Sequence, residues 1–175
     1  EFYDLYPLDE IELAENKLPP HNYTEIALND ILSGYWTSFS DFKTLLNNGS
    51  ISADNPYDGK PLDDYWARRA RQGYWAALSF TDTNFGQVIS TVKHVGLYDS
   101  AVIVYWGDHG YQLGENNQWS KVTNFEHSTR IPFMIRAPGG NVGKRAASFV
   151  EAVDLLPTLI DLAMEMKIPT CPTAT

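Results

Sequence analysis

The sequence predicts an α/β fold, in which helices flank a mostly parallel sheet, and two adjacent segments carry this prediction. Residues 101–106 form a continuous apolar run, rich in β-branched and aromatic side chains, that is typical of a strand buried on both faces of a parallel sheet. Residues 63–94, which precede this run, contain no proline and show a helical pattern. A helix followed by a buried strand is the pattern of α/β proteins.

The helical segment has a regular apolar face and a defined end. Phe85, Val88, Ile89 and Val92 are spaced at i, i+3, i+4 and i+7, which places them on one side of a helix. Gly96 follows, and glycine is the usual residue just beyond a helix because it adopts left-handed backbone angles at low cost. We therefore expect a helix from residue 63 to about residue 94.

Two further elements follow the apolar run. Residues 133–137 predict a second strand, which is ended by the Pro-Gly-Gly turn at residues 138–140. Asp154 is a candidate N-cap for a last helix that extends to about Met164. Pro157 is compatible with that helix because proline is tolerated in a first turn.

The first third of the chain differs from the rest in composition. Residues 1–60 contain clusters of Pro, Asn, Asp and Gly with weak periodicity, which predicts an irregular surface segment. Compact domains seldom contain so long a loop unless it shapes a binding site or covers another part of the protein. The change in pattern at Pro61 places a boundary there, so that residues 61–175 form the α/β part.

Length and charge exclude several classes of protein. The 175 residues fit one domain or part of a larger one, and 43% of them are hydrophobic, which is enough for a buried core. The net charge of −9 argues against nucleic acid as a partner, because phosphate binding requires a basic surface. The chain contains no apolar run of 18 residues, so no membrane span is predicted.

Two sequons favour the secretory route, whereas the single cysteine is compatible with a secreted or a cytosolic chain. Cys171 is the only cysteine, so a disulfide within the chain is impossible. Asn22 and Asn48 each begin an Asn-X-Ser/Thr sequon and are candidate glycosylation sites. The chain begins at Glu1 without a signal pattern, from which we expect a processed chain or a fragment.

Asp108 and His109 directly follow the apolar run and lie between two glycines. In open α/β sheets, ligands bind beyond the carboxyl ends of the strands, which is where this pair is expected. A carboxylate and an imidazole, with glycines that allow a sharp turn, can hold one metal ion. The same dipeptide is also typical of a capped turn, and taken alone it leaves both alternatives open.

The stretch from Asp108 to Lys121, thirteen positions later, resembles the second signature of the type I sulfatases of the alkaline phosphatase superfamily. The resemblance extends to both sides, at Tyr74, Ala76, Asp82, Gly86, Gly96, Leu97 and residues 130–133, 137–139 and 153–159. Residues 2–8 and 168–172 are most similar to the iduronate-2-sulfatase group. The resemblance implies a partial alkaline-phosphatase-like sandwich, with residues 61–175 as the C-terminal part of a sulfatase catalytic domain.

The resemblance also implies a chemistry for the motif. Asp108 and His109 would be two ligands of a calcium ion, with magnesium or manganese as alternatives because a histidine ligand is unusual for calcium. Lys121 would bind the sulfate and act in catalysis, and His127 is a further candidate for substrate binding. The expected substrate is a sulfated sugar of the glycosaminoglycan type, and the expected location is lysosomal or secreted.

The family's nucleophile is missing from this chain. Sulfatases use a formylglycine made from the cysteine of a C-x-P-x-R motif, whereas Cys171 is followed by Pro-Thr-Ala-Thr. We therefore expect the nucleophile and further metal ligands on an N-terminal part of the same enzyme, without which the chain is inactive and unstable. Two alternatives are a phosphonate or phosphate ester hydrolase of the same superfamily and a non-catalytic protein that binds sulfated glycans.

Residues near the motif also have structural interpretations. Glu115 is expected to hold Lys121, and Arg130 is expected to form an ion pair. Tyr111 and Trp119 are candidates for walls of the site, but aromatic side chains near a strand end usually serve packing.

Overall fold

The computed structural model describes residues 1–17, 63–121 and 123–164. These residues belong to two compact units: a first unit of Glu1–Phe85 with His109–Arg130, and a second unit of Gly86–Asp108 with Ile131–Thr175. The candidate glycosylation sites Asn22 and Asn48, and the single cysteine Cys171, lie outside the described residues. The proposed boundary between residues 60 and 61 also falls there and stays a prediction.

Helix α1, Asp64–His94, confirms the helix that the sequence predicts. The carboxylate of Asp63 accepts a hydrogen bond from the Tyr65 N–H at 2.9 Å and so caps the first turn. At the other end Gly96 has a φ of +73°, and the Leu97 N–H donates to the Val92 carbonyl oxygen at 3.1 Å. The left-handed glycine therefore ends the helix as predicted.

The N-terminal segment packs on α1 within the first unit. Residues 1–17 contain only two short 3-10 turns, Tyr3–Leu5 and Leu8–Glu10, as expected for an irregular segment. Ile11 is nevertheless 1% exposed, and Arg68 of α1 donates to its carbonyl oxygen. Gln72 of α1 donates to the Tyr6 carbonyl oxygen at 2.7 Å. Side chains of the helix thus donate hydrogen bonds to backbone carbonyls that lie outside helices and strands.

The first unit also contains a short hairpin and a helical turn that the sequence did not predict. Strands β2, Gln112–Leu113, and β3, Trp119–Ser120, pair antiparallel, and helix α2, Glu126–Thr129, follows. A 3-10 turn at Glu115–Asn117 joins the strands.

The hairpin turn uses left-handed backbone at several positions. Gly114, Asn116 and Asn117 have φ values of +107°, +54° and +58°. Asn116 is tied to the N-terminal segment, since its N–H donates to the Asn16 carbonyl oxygen at 2.7 Å and its Oδ1 accepts from Asn16 Nδ2 at 3.0 Å. Glycine and asparagine adopt these angles more readily than other residues.

The second unit contains both strands predicted from apolar runs, but their direction differs from the prediction. Strand β1, Ile103–Trp106, pairs antiparallel with β4, Phe133–Arg136, with Ile103 opposite Arg136. Strand β1 is also not buried on both faces, since Trp106 is 46% exposed. The α/β class is confirmed, while the strand pairs described are antiparallel, so the parallel direction expected for the sheet is not found in them. An apolar run indicates a preference for burial but carries no information on the direction of its neighbour.

The last helix, α3, spans Leu155–Met164 and ends where the sequence predicts. Asp154 directly precedes the helix, but it is the last residue of a 3-10 turn, Ala152–Asp154, whose N-cap is Glu151 and not Asp154 as predicted. Its carboxylate accepts a hydrogen bond from the Glu151 N–H at 3.1 Å, so that Asp154 stabilises the start of the turn from inside it. Among the helices of the described residues, none is both long enough and apolar enough to cross a membrane.

We predict that Ile11→Ala lowers the free energy of unfolding of the protein that contains this chain by about 2–5 kcal/mol, because it removes a buried side chain and leaves a cavity. Leu5→Ala is the matched control, since Leu5 is in the same segment but 60% exposed. Urea denaturation of the two variants checks the difference. Equal losses would show that Ile11 is not part of the core.

Candidate functional site

The candidate motif begins where β1 ends. The Gly107 N–H donates to the Pro132 carbonyl oxygen at 3.1 Å, which extends the pairing of β1 and β4 by one residue. Asp108 follows and is exposed, and His109 is half-buried. The pair therefore lies directly after the strand, as the sequence predicts.

His109 and Lys121 lie in hydrogen-bond contact within the first unit. Lys121 Nζ is 2.8 Å from His109 Nε2, although twelve positions separate the two residues. His109 Nδ1 is 2.8 Å from the carbonyl oxygen of Gly110. Each nitrogen of the imidazole thus has a partner, a carbonyl oxygen for Nδ1 and an ammonium for Nε2.

These two contacts determine the tautomer of His109. A carbonyl oxygen can only accept, so Nδ1 carries the hydrogen and donates to Gly110. A lysine ammonium can only donate, so the lone pair of Nε2 accepts from Lys121. The imidazole is therefore neutral, with its basic electron pair on Nε2, which is the form that a metal-binding histidine also requires.

Gly110 allows a close approach between the motif and α2. Its N–H donates to the Ser128 carbonyl oxygen at 2.8 Å. A Cβ atom at this position would collide with the carbonyl of His127 and lie 3.0 Å from that of Arg130. Gly110 does not have a positive φ, so the glycine is required by lack of space and not by an unusual turn.

A buried polar cluster lies beneath the hairpin. Gln112 is 0% exposed, and its Nε2 lies 2.7 Å from Gln118 Oε1, 2.6 Å from Thr123 Oγ1 and 3.3 Å from Ser128 Oγ. The sequence pattern does not single out these residues. A glutamine in a short strand has no sequence signal that distinguishes a buried amide from an exposed one.

Glu115 does not hold Lys121, as the sequence analysis expected. Its carboxylate accepts from the Leu113 N–H at 2.6 Å and lies 3.5 Å from Arg71 Nη1 of α1. Arg71 Nη1 also donates to the Leu113 carbonyl oxygen at 2.9 Å. The hairpin turn directs Glu115 back over β2, where its carboxylate anchors the hairpin to α1. The partner of Lys121 is therefore His109 and not Glu115.

The polar candidates on and after α2 are exposed. Arg130 pairs with Glu126 at 3.7 Å, which confirms the expected ion pair, and the exposure of both side chains makes its contribution to stability small. His127 presents its carbonyl oxygen to the Gly110 position, while its side chain is exposed.

The aromatic residues of the motif pack against neighbours. The ring of Tyr111 lies 5.0 Å from that of Tyr74 on α1, centroid to centroid. The indole of Trp119 fills the space beside Gly114, where an added Cβ would lie 3.1 Å from it. Both contacts are the packing role expected for these side chains.

Within the described ranges, no group of three or more His, Cys, Asp or Glu side chains comes together to hold a metal ion. Asp108 and His109, adjacent in the chain, offer a carboxylate oxygen and the Nε2 lone pair. These are suitable donors for a divalent cation but supply at most part of a coordination shell. The donor chemistry therefore fits a metal in part, and the missing ligands must come from other residues.

Residues 27–166 match the family model described as Sulfatase. Iduronate 2-sulfatase of Homo sapiens is 29% identical over an alignment of 197 residues, gaps included, and this alignment covers 98% of this chain and 34% of the relative. Choline-sulfatase of Rhizobium meliloti (strain 1021) is 38% identical over 96 residues, which cover 55% of this chain and 19% of the relative. The chain thus spans about a third of the length of the iduronate 2-sulfatases that it matches.

Two solved structures share the fold. The phosphonate monoester hydrolase SpPMH from Silicibacter pomeroyi superposes with a TM-score of 0.58 at 32% identity, over 63% of this chain and 22% of that chain. A protein solved in complex with its substrate D-glucosamine-2-N,6-O-disulfate also has a TM-score of 0.58, at 24% identity, over 77% of this chain and 26% of that chain. At that identity the second likeness concerns the fold alone.

We predict that Gly110→Ala lowers the free energy of unfolding by about 1–3 kcal/mol, because the added methyl group forces α2 away from the motif. Gly86→Ala is the control: Gly86 lies in α1 with nothing within 4 Å of an added Cβ, and there alanine should stabilise the helix by about 0.5–1 kcal/mol. Thermal or urea unfolding of both variants provides the measurement. A neutral Gly110→Ala would contradict the close approach.

Proposed function

Since the chain belongs to the sulfatase family, whose model matches residues 27–166, we propose that it contributes part of an active site that hydrolyses sulfuric esters. The observation that carries the proposal is the 2.8 Å contact between Lys121 and His109. The sequence motif separates these residues by a hairpin, and the fold brings them together. The similarity to iduronate 2-sulfatases over 98% of the chain supports the same reaction class.

In this proposal Lys121 stabilises charge on the substrate. Hydrolysis of a sulfate monoester breaks the bond between sulfur and the ester oxygen, adds water, and releases an alcohol and hydrogen sulfate. Negative charge develops on the ester oxygen as that bond breaks, and an ammonium held close to it lowers the energy of the transition state. Lys121 is an exposed residue, which makes it accessible to a substrate.

Asp108 and His109 are proposed as ligands of a divalent cation, calcium in the first place, with magnesium or manganese as alternatives. A bound cation at such a position would polarise the sulfate and neutralise part of its charge. The support from the structure is the tautomer of His109, which places a lone pair on Nε2.

The same lone pair constrains Lys121. Nε2 of His109 has one lone pair, so it cannot accept from Lys121 and bind a cation at the same time. When Nε2 is used as a ligand, Lys121 has to donate to another acceptor, and the oxygens of a sulfate group are suitable acceptors for an ammonium. Lys121 therefore has two alternative partners in this proposal.

The nucleophile is proposed to lie outside these 175 residues, on an N-terminal part of the same enzyme. The family makes its formylglycine from a cysteine in a C-x-P-x-R motif, and the residues after Cys171 do not match that motif. On this view the chain alone has no turnover.

The substrate class is proposed from the relatives. Similarity to iduronate 2-sulfatases supports a sulfated sugar of the glycosaminoglycan type, with a lysosomal or secreted location and glycans on Asn22 and Asn48. His127 is proposed as a further substrate contact, because it lies on α2, whose backbone adjoins the motif at Gly110. His127 adjoins the motif through its backbone, whereas Lys121 contacts it through its side chain.

A second candidate is hydrolysis of phosphonate or phosphate esters. The likeness to a phosphonate monoester hydrolase at 32% identity and a TM-score of 0.58 favours it. Sulfate and phosphonate esters both present tetrahedral anionic groups to a lysine and a cation, so the residues of this chain suit either. The nucleophile on the rest of the enzyme would decide between them.

We predict that Lys121→Ala, in the enzyme that contains this chain, lowers kcat for an aryl sulfate by about 10²–10³-fold, the loss typical for removal of one group that stabilises developing charge. Lys144→Ala is the control, because Lys144 is also an exposed lysine, in the loop after β4. Assays with an aryl sulfate and an aryl phosphonate in parallel also test the second candidate. Turnover of the phosphonate alone would favour that candidate, and an unchanged kcat in Lys121→Ala would refute the role of Lys121.

We predict that Asp108→Ala abolishes both cation binding and activity, whereas Lys121→Ala retains the cation, because only the first change removes a proposed ligand. Isothermal titration of the variants with Ca²⁺ and with Mn²⁺ measures binding independently of turnover. Loss of the cation in Lys121→Ala, or full binding in Asp108→Ala, would contradict the assigned roles.

A further inference from the structure

We propose that Gln112 is a positioning residue, whose buried amide sets the distance between Lys121 and His109. The inference rests on the proposed function of that pair. Gln112 touches neither residue with its side chain, and its effect passes through two short paths in the first unit, one to each member of the pair.

The first path leads to Lys121. Gln112 on β2 lies opposite Ser120 on β3, the residue directly before Lys121. Thr123, two residues beyond Lys121, donates its N–H to the Lys121 carbonyl oxygen at 2.9 Å, and its Oγ1 lies 2.6 Å from Gln112 Nε2. Contacts with Gln112 therefore hold the backbone on both sides of Lys121.

The second path leads to His109. Ser128 Oγ of α2 lies 3.3 Å from Gln112 Nε2 and 2.9 Å from Thr123 Oγ1. The carbonyl oxygen of Ser128 accepts from the Gly110 N–H at 2.8 Å, and the carbonyl oxygen of Gly110 accepts from His109 Nδ1. The orientation of the imidazole thus depends on where the amide of Gln112 holds α2.

Stability does not explain this cluster. Gln112 and Gln118 are 0% and 1% exposed, and in the part of the chain that the structure describes, Gln112 Oε1 and Gln118 Nε2 have no hydrogen-bond partner. A buried polar atom without a partner lowers stability, and an apolar pair of the same size would avoid that cost. Buried amides of this kind select one arrangement of the segments around them. The arrangement selected here is the one that brings Lys121 Nζ within hydrogen-bond distance of His109 Nε2.

Gln118 provides a matched control for Gln112. It is equally buried, and its Oε1 takes part in the same amide pair, at 2.7 Å from Gln112 Nε2. Its side chain has no hydrogen bond to Thr123 or Ser128 among those found in the described residues, so it lies on neither path. A purely structural role would make the two glutamines equivalent, and a positioning role makes Gln112 the more sensitive.

The experiment compares Gln112→Met and Gln118→Met in the enzyme that contains this chain. Methionine keeps the length and removes the amide. We expect Gln112→Met to lower kcat for an aryl sulfate by about 10²-fold, the loss typical of a displacement near 1 Å, with KM changed by less than about twofold. We expect Gln118→Met to lose a similar amount of thermal stability with kcat reduced by less than about threefold. Equal losses of kcat in the two variants would overturn the proposal.

A second measurement detects the hydrogen bond between Lys121 and His109 directly. In cation-free protein labelled with ¹⁵N-histidine, the Nε2 chemical shift of His109 reports its hydrogen bond from Lys121, and Lys121→Met gives the reference value without that bond. The Gln112→Met shift should move towards this reference, and an unchanged shift would overturn the proposal. If the wild-type enzyme does not hydrolyse sulfate esters, the proposed function fails, while the NMR result still decides the role of Gln112.

A variant pair at Thr123 covers the case in which Gln112→Met does not fold. Thr123→Val keeps the shape and removes the hydroxyl that contacts Gln112, whereas Thr123→Ser keeps the hydroxyl. We expect the valine variant to lower kcat and shift His109 Nε2, and the serine variant to restore both. Identical behaviour of the two variants would contradict a path through the hydroxyl.

Discussion

The hydrogen bond from His109 Nδ1 to the carbonyl oxygen of Gly110 is the interaction on which the candidate site depends. It fixes one tautomer and leaves a lone pair on Nε2, and that lone pair accepts from Lys121. If the hydrogen were on Nε2, neither an ammonium nor a cation could bind there. A main-chain carbonyl next to the histidine in the sequence thus determines which electron pair is available for chemistry.

Polar side chains make up more of the buried residues than apolar ones do in the described part of the chain. Of the buried side chains among the described residues, the apolar ones are Ile11, Ala14, Ala67 and Ala76, and the polar ones are Gln72, Gln112, Asn117, Gln118 and Ser128. The motif is therefore supported by hydrogen bonds and close backbone approaches more than by an apolar core. Such contacts are directional, so they define where a side chain points and not only that it is buried.

The sequence predicted the elements with strong patterns and missed those defined by tertiary contacts. Helix α1 has apolar residues at regular helical spacing and a glycine, Gly96, just beyond its end. Its bounds were therefore predicted to within a residue. The position of His109 followed from the strand before it. The two-residue strands β2 and β3 are too short for any period, and the direction of Glu115 depends on Arg71, far away in the sequence. The antiparallel direction of β4 could not be predicted from the sequence either, because an apolar run does not specify the direction of its partner strand.

The hairpin turn limits how this protein could have diverged. Asn116 and Asn117 both adopt left-handed backbone angles, which β-branched and bulky side chains avoid. Asn116 also holds the N-terminal segment through Asn16. Substitution at these two positions is thus restricted mainly to residues that tolerate left-handed backbone angles, which limits the sequences that can form the turn between His109 and Lys121.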